Sequence, residues 1–155
     1  LLGYGDGNFK NPMIYSTGLD SRPYSIVVDD VSRDDRSDIV VTNSNTHNID
    51  VPLGYGKGSF SIGALYSTGE SSFPYSVTIH DLNKDNQADV IVTNSDTNNV
   101  FAFYGYGNGT FAEPLSYFMG YESHPSSVVI SDFDENGWID IAAANYGTDN
   151  VEILF

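Results

Sequence analysis

The chain has no cysteine in 155 residues, only six lysines and arginines against 21 acids, and no apolar run long enough to cross a bilayer. Each absence removes a class of protein. Without cysteine there is no disulfide framework and no thiolate metal site. A formal net charge of −15 excludes a nucleic-acid surface, because phosphate contacts need clustered Lys and Arg. The missing apolar run excludes a helical span, and no membrane insertion is expected. Helical periodicity is missing as well: no segment keeps apolar residues on one helical face for ten residues.

What is present is repetition. At a spacing of 51 residues the turn GYGDGNF at Gly3 becomes GYGKGSF at Gly54 and GYGNGTF at Gly105. Tyr15, Tyr66 and Tyr117 keep the period, as do Pro23, Pro74 and Pro125, and Asn43, Asn94 and Asn145. The repeats run in phase over 2–52, 53–103 and 104–154 as one array. Within a copy the apolar segments are short, rich in Val, Ile, Tyr and Phe, and bounded by Gly, Asn, Asp and Pro, which is a strand signature. In the middle copy strands are predicted at 75–80, 89–93, 99–104 and 110–117. Four strands per unit describe one blade of a β-propeller. The fold class is therefore all-β, with three four-stranded antiparallel blades per chain. Separate small domains are disfavoured, since one sheet cannot bury both of its faces alone. The tyrosines at 4, 55 and 106 and at 15, 66 and 117 are expected to pack between blades.

In step with the strands comes an oxygen-rich loop: DVSRDDRSD (Asp30 to Asp38), DLNKDNQAD (Asp81 to Asp89) and DFDENGWID (Asp132 to Asp140). Side chains at positions one, three and five converge on a centre: Asp30, Ser32 and Asp34; Asp81, Asn83 and Asp85; Asp132, Asp134 and Asn136. The backbone carbonyl of position seven (Arg36, Gln87, Trp138) completes that side, and Asp38, Asp89 or Asp140 closes the cage. Oxygen donors without His or Cys select a hard cation, and several carboxylates on a loop favour calcium over magnesium, up to three ions per chain. An EF-hand needs Glu at position twelve, where Val41, Val92 and Ala143 stand, so no flanking helices are expected. Position six must turn sharply, and offers Asp35, Asn86 and Gly137. The third loop is expected to bind most tightly. The first, with Ser32, Arg33 and Arg36, is expected to bind most weakly. Nine of the 21 acids occupy ligand positions, so bound divalent ions would relieve repulsion concentrated in the loops.

The run GYGxGxF, then PYSVTIHD, then the nine-residue acidic loop, then DVIVTN, resembles the FG-GAP or VCBS repeats of integrin α-subunit propellers and related extracellular proteins. The resemblance covers essentially the whole chain. It implies that the loop joins the first two strands of a blade and holds calcium, and that the module serves extracellular recognition or adhesion. A propeller-type lectin is the alternative, with Trp138, Tyr146 and Tyr121 as candidate sugar contacts. An enzyme is not expected, because His47, His80 and His124 fall at unrelated phases and no nucleophile elbow is present.

Propellers close with about four to eight blades, so three blades leave two open faces. A homodimer would close a six-bladed ring, the strand at 8–15 of one chain completing the blade begun by residues 126–155 of the other. The competing expectation is a fragment of a longer propeller. The ligand, whether protein or glycan, is not specified by any repeat-phased feature.

Overall fold

A computed structural model describes residue 3 and residues 5–155. Its strands are β1 (Pro23–Asp29), β2 (Asp38–Asn43), β3 (Asn48–Val51), β4 (Gly54–Gly56), β5 (Ser59–Phe60), β6 (Ala64–Ser67), β7 (Pro74–His80), β8 (Asp89–Asn94), β9 (Asn99–Phe103), β10 (Leu115–Phe118), β11 (Pro125–Ser131), β12 (Asp140–Asn145) and β13 (Asn150–Leu154). Three meandering antiparallel sheets result, ordered β1-β2-β3-β6, β7-β8-β9-β10 and β11-β12-β13, with the hairpin β4-β5 beside the first. The leading strands lie together, β1 against β7 and β7 against β11. The sheets therefore stack face to face as successive blades.

Strand alternation explains the stacking. Successive side chains of a strand point to opposite faces. In β8, Val90 and Val92 join Val40, Ile49 and Val51 of the first sheet and Val31 of the loop after β1, while Ile91 joins Val128, Ile141 and Ala143 of the third sheet. Every residue of β8 is consequently buried. Burying one such aliphatic side chain contributes about 1.5–3 kcal/mol, and the middle blade gains on both faces.

The outer strand differs from expectation. It begins at Leu115 rather than at 110, because the chain first closes a hairpin through the Gly105↔Phe111 bridge. Pro114 has no N–H to donate to a ladder, and pairing with β9 starts one residue later. At the first phase, Gly3 bridges Phe9 in the same way, but Met13–Ser16, the counterpart of β6 and β10, lies in no strand. The tyrosine expectation splits too. Tyr66 packs edge-on against Phe111 at 5.4 Å and Tyr15 against Phe60 at 5.3 Å. Tyr55 and Tyr106 instead face outward, and Tyr4 lies outside the described residues. The glycines beside them must face inward: a Cβ on Gly54 or Gly105 would stand 2.2 Å from the carbonyl oxygen of Ser37 or Ala88.

One buried group works against stability. Asp50 in β3 is buried, its Oδ1 has no hydrogen-bond partner, and burial pushes its carboxyl above the usual carboxylate range. Gly63 makes the room, since a Cβ there would fall 1.6 Å from that oxygen; Pro12 and Pro114 hold this phase in the other copies. The folded chain thus keeps this proton to higher pH than the unfolded chain does. Stability falls as pH rises from the unfolded carboxylate value through the raised one, and then levels off. Asp50→Ala is expected to remove its own share of that slope and to stabilise the protein at neutral pH by about 1–3 kcal/mol. Thermal unfolding of both proteins from acid to neutral pH checks this. A neutral-pH variant less stable than its parent refutes it.

Candidate metal centre

Each acidic loop connects the first two strands of its sheet, and all three share one skeleton. In the first, the Asp30 carboxylate accepts the N–H groups of Asp34 (3.1 Å) and Asp35 (2.8 Å). In the second, Asp81 accepts those of Asp85 (3.0 Å) and Asn86 (2.8 Å). In the third, Asp132 accepts those of Asn136 (3.0 Å) and Gly137 (2.7 Å). The position-seven N–H then turns onto the position-five side chain: Arg36 onto Asp34 at 3.0 Å, Gln87 onto Asp85 at 2.8 Å, Trp138 onto Asn136 at 2.7 Å. These bonds coil the loop around its own carboxylates.

The coil needs left-handed backbone where the sequence reading placed it. Asp35, Asn86 and Gly137 have φ of 61°, 60° and 87°. Position four is left-handed as well, with Arg33 at 57°, Lys84 at 62° and Glu135 at 59°, although none of these residue types signals it.

Position nine carries a double duty that spacing alone does not reveal. Asp38, Asp89 and Asp140 are buried, and one oxygen of each accepts an N–H from its own loop: Ser32 at 3.1 Å, Leu82 at 2.9 Å, Phe133 at 2.8 Å. The other oxygen of Asp38 accepts the Gly54 N–H at 2.7 Å, and that of Asp89 the Gly105 N–H at 2.9 Å. The cage is thereby tied to the hairpin of its own blade. Burial pushes the Asp89 carboxyl up, against the pull of the Gly105 and Leu82 amides. Every position of the repeat is co-phased, so the sequence carries no separate signal of this link.

The loops differ in how far their carboxylates converge. Ligand oxygens of Asp132, Asp134 and Asp140 lie within 4.8 Å of one another, the only such trio of acids among the described residues. In the first loop Asp34 is turned aside by Arg36, whose guanidinium donates to it at 3.0 and 2.5 Å and holds its carboxyl below the usual range. Ser32 brings its hydroxyl only within 3.5 Å of Asp30. In the second loop Asp85 accepts from the side-chain amides of Asn83 (3.0 Å) and Gln87 (3.1 Å). Asn136 is likewise occupied, donating to Asp134 at 2.9 Å. Loop three offers hard carboxylate oxygens around one point with no cation of its own beside them, which fits a calcium-sized ion.

Another repeat-phased set has a structural role that its spacing does not show. Asn43, Asn94 and Asn145 are buried, and each donates its amide at 2.9 Å to the asparagine five residues on. They clamp the β2-β3, β8-β9 and β12-β13 turns on the side away from the acidic loops. His47 and His124 serve between blades: His47 Nδ1 accepts the Phe73 backbone N–H at 3.4 Å, the His124 backbone N–H donates to Asn98 Oδ1 at 3.0 Å, and His124 Nδ1 lies 3.0 Å from the Ser95 carbonyl.

Stacked antiparallel blades, each with an acidic coil between its first two strands, define a propeller-like repeat protein. The FG-GAP-like repeat profile matches residues 30–92 and again 81–143, and the chain belongs to that family. Among solved structures, the streptogramin B lyase structure superposes with a TM-score of 0.55 at 16% identity, over 89% of this chain and 42% of that one. At that identity the likeness is one of fold. The chain spans less than half the length of that neighbour. A search of curated proteins found no match.

Proposed function

We propose that this chain is a calcium-binding propeller module whose ions lock the inter-strand loops of an extracellular recognition or adhesion scaffold. The observation that carries the reading is the Asp132, Asp134 and Asp140 cluster, standing at a phase where the other two copies keep Asp at the first and ninth positions and place Ser32 or Asn83 at the third. Calcium takes six to eight oxygens, and here the side chains would be joined by the Trp138 carbonyl and water. The ion's part is structural: it offsets carboxylate repulsion and joins each loop to its hairpin.

Calcium calorimetry tests this with the intact chain. The tightest site should vanish in Asp134→Ala and persist in Asp34→Ala; the reverse pattern, or no heat above dilution, sinks the reading. Because Arg36 competes for Asp34, Arg36→Gln is expected to tighten the weakest site roughly two- to fivefold. An unchanged weak site would separate Arg36 from cation binding.

A second reading, glycan binding, draws on one specific feature. Tyr75, Ser95, His124, Ser126 and Tyr146 line a cleft of about 410 Å³ between the second and third blades, with Tyr146 largely exposed. An aromatic face beside hydroxyls suits a sugar ring. A glycan array with wild type and Tyr146→Ala decides it: signal lost in the variant favours the lectin, and a blank array for both removes it.

A further inference from the structure

Three hairpins recur with the repeat, closed by the Gly3↔Phe9 bridge, by β4 with β5 and by the Gly105↔Phe111 bridge. Their tips differ: Asp6-Gly7-Asn8, Lys57-Gly58-Ser59 and Asn108-Gly109-Thr110. The last is the chain's one Asn-x-Ser/Thr triplet, with no proline at Gly109 or Phe111, and it falls between the second and third acidic loops, well inside the array. Such triplets arise by chance, and the folded geometry is what sets this one apart.

Gly109 is buried and held from three sides. Its N–H donates to the Val31 carbonyl at 3.0 Å, its carbonyl accepts the Tyr66 hydroxyl at 3.5 Å, and a Cβ there would fall 2.8 Å from the Leu53 methyl groups. With the middle residue fixed against the first blade, Asn108 and Thr110 on either side of it are exposed. Asn108 Oδ1 accepts the Thr110 backbone N–H at 3.0 Å and the Thr110 hydroxyl at 2.6 Å, while Asn108 Nδ2 makes no hydrogen bond among the described residues. With the oxygen tied back to Thr110, the NH2 group is the part of the side chain left for a reagent in solvent. The buried asparagines are the opposite case: Nδ2 of Asn43, Asn94 and Asn145 is occupied in the turn clamps.

The turn itself does not require the Asn and Thr pair. At the first tip Asp6 Oδ1 accepts the Asn8 N–H at 3.0 Å, with no amide nitrogen present. At the second, Lys57 takes a positive φ of 56° and Ser59 donates to the Gly56 carbonyl at 2.8 Å. The same hairpin forms with Asp, Lys or Asn at its tip, and only the third version exposes an amide beside a hydroxyl.

We propose that Asn108 is an acceptor for N-linked glycosylation, an inference that rests on the extracellular placement proposed above, since the transfer acts on secreted chains. The donor is a lipid-linked oligosaccharide pyrophosphate. The bond from the sugar's anomeric carbon to the pyrophosphate oxygen breaks, a bond from that carbon to Asn108 Nδ2 forms, one amide proton is released, and the lipid pyrophosphate leaves; nothing is oxidised or reduced. A glycan here is rooted beside the first two acidic loops, because a Cβ on the neighbouring Gly107 would fall 2.8 Å from the Arg33 side chain and 2.7 Å from that of Gln87. It shields that end of the junction and leaves clear the cleft at Tyr75 and Tyr146, at the other end of the strands.

The test uses the intact chain, secreted behind a cleavable leader from mammalian cells and purified from the medium. Its mass is expected to exceed 16.9 kDa by one glycan, to lose that excess on treatment with peptide N-glycosidase, and to leave aspartate at position 108 of the recovered peptide. Thr110→Ala and Asn108→Gln should each abolish the modification, whereas Thr110→Ser should keep it at reduced occupancy. Both positions are exposed, and circular dichroism confirms that the variants fold. A secreted chain at its unmodified mass overturns the proposal, as does extra mass that resists the glycosidase or persists in Asn108→Gln. Calcium dialysis of the same material separates the two readings: a glycosylated chain that holds no calcium sinks the calcium scaffold and leaves Asn108 standing, and a calcium-loaded chain without the glycan does the reverse.

Discussion

If the phased loops hold calcium as proposed, EDTA is expected to lower the melting temperature of the calcium-saturated protein by roughly 5–10 °C for each site emptied. At a free ion concentration near 100 times the dissociation constant, one site stabilises by about 2.7 kcal/mol, and a chain of this size shifts about 2–4 °C per kcal/mol. The unfolded chain has no assembled cage, so binding energy is folding energy. Without an ion the third loop holds three carboxylates within 4.8 Å of one another on a chain of net charge −15. The strands should survive, because Asp30, Asp81 and Asp132 keep their backbone N–H partners without a metal. Sodium chloride at matched ionic strength screens diffuse repulsion but cannot fill a cage, so it should recover only part of the loss. Full recovery by sodium would reduce calcium to a general counter-ion.

The second large effect lies in the core. Phe103 is almost wholly buried in β9, packed with Val31, Val51, Val77 and Val90 across the first two blades and edge-on to Tyr66 at 6.4 Å. Phe103→Ala should cost about 3–5 kcal/mol, a large share of the stability of any small domain. The close-packed blades around it cannot collapse inward without moving both sheets. Urea unfolding reads the loss as a lower midpoint with an unchanged slope. A cost under about 1 kcal/mol would mean that the first two blades do not pack through this ring.

Repetition made the blades legible. Each inner strand recurs three times, so Val, Ile and Asp positions that are ambiguous in one copy become fixed by phase, and β7, β8 and β9 fall where the middle copy placed them. The outer strand was read too early because Phe111 and Leu115 both suit a strand. Only the hairpin bridge and Pro114 divide them. Outward-facing Tyr55 and Tyr106 were misread for a related reason: an aromatic between glycines signals packing, but the close approach of Gly54 and Gly105 to a neighbouring carbonyl decides which side faces in. In the loops the donor types and the turn at position six were readable. The diversion of Asp34 by Arg36 was not, because a two-residue spacing does not say which way a guanidinium folds. Nor was the hold of Asp38 and Asp89 on the hairpin glycines, which joins residues sixteen apart.

Equilibrium dialysis of the intact chain against calcium, followed by elemental analysis, measures directly whether the phased loops hold the ion. Bound calcium should approach three ions per chain at saturation, with one ion lost in a variant lacking Asp132, Asp134 and Asp140. Calcium no higher inside the bag than outside, once the Donnan excess from the protein's own charge is suppressed by salt, would contradict it.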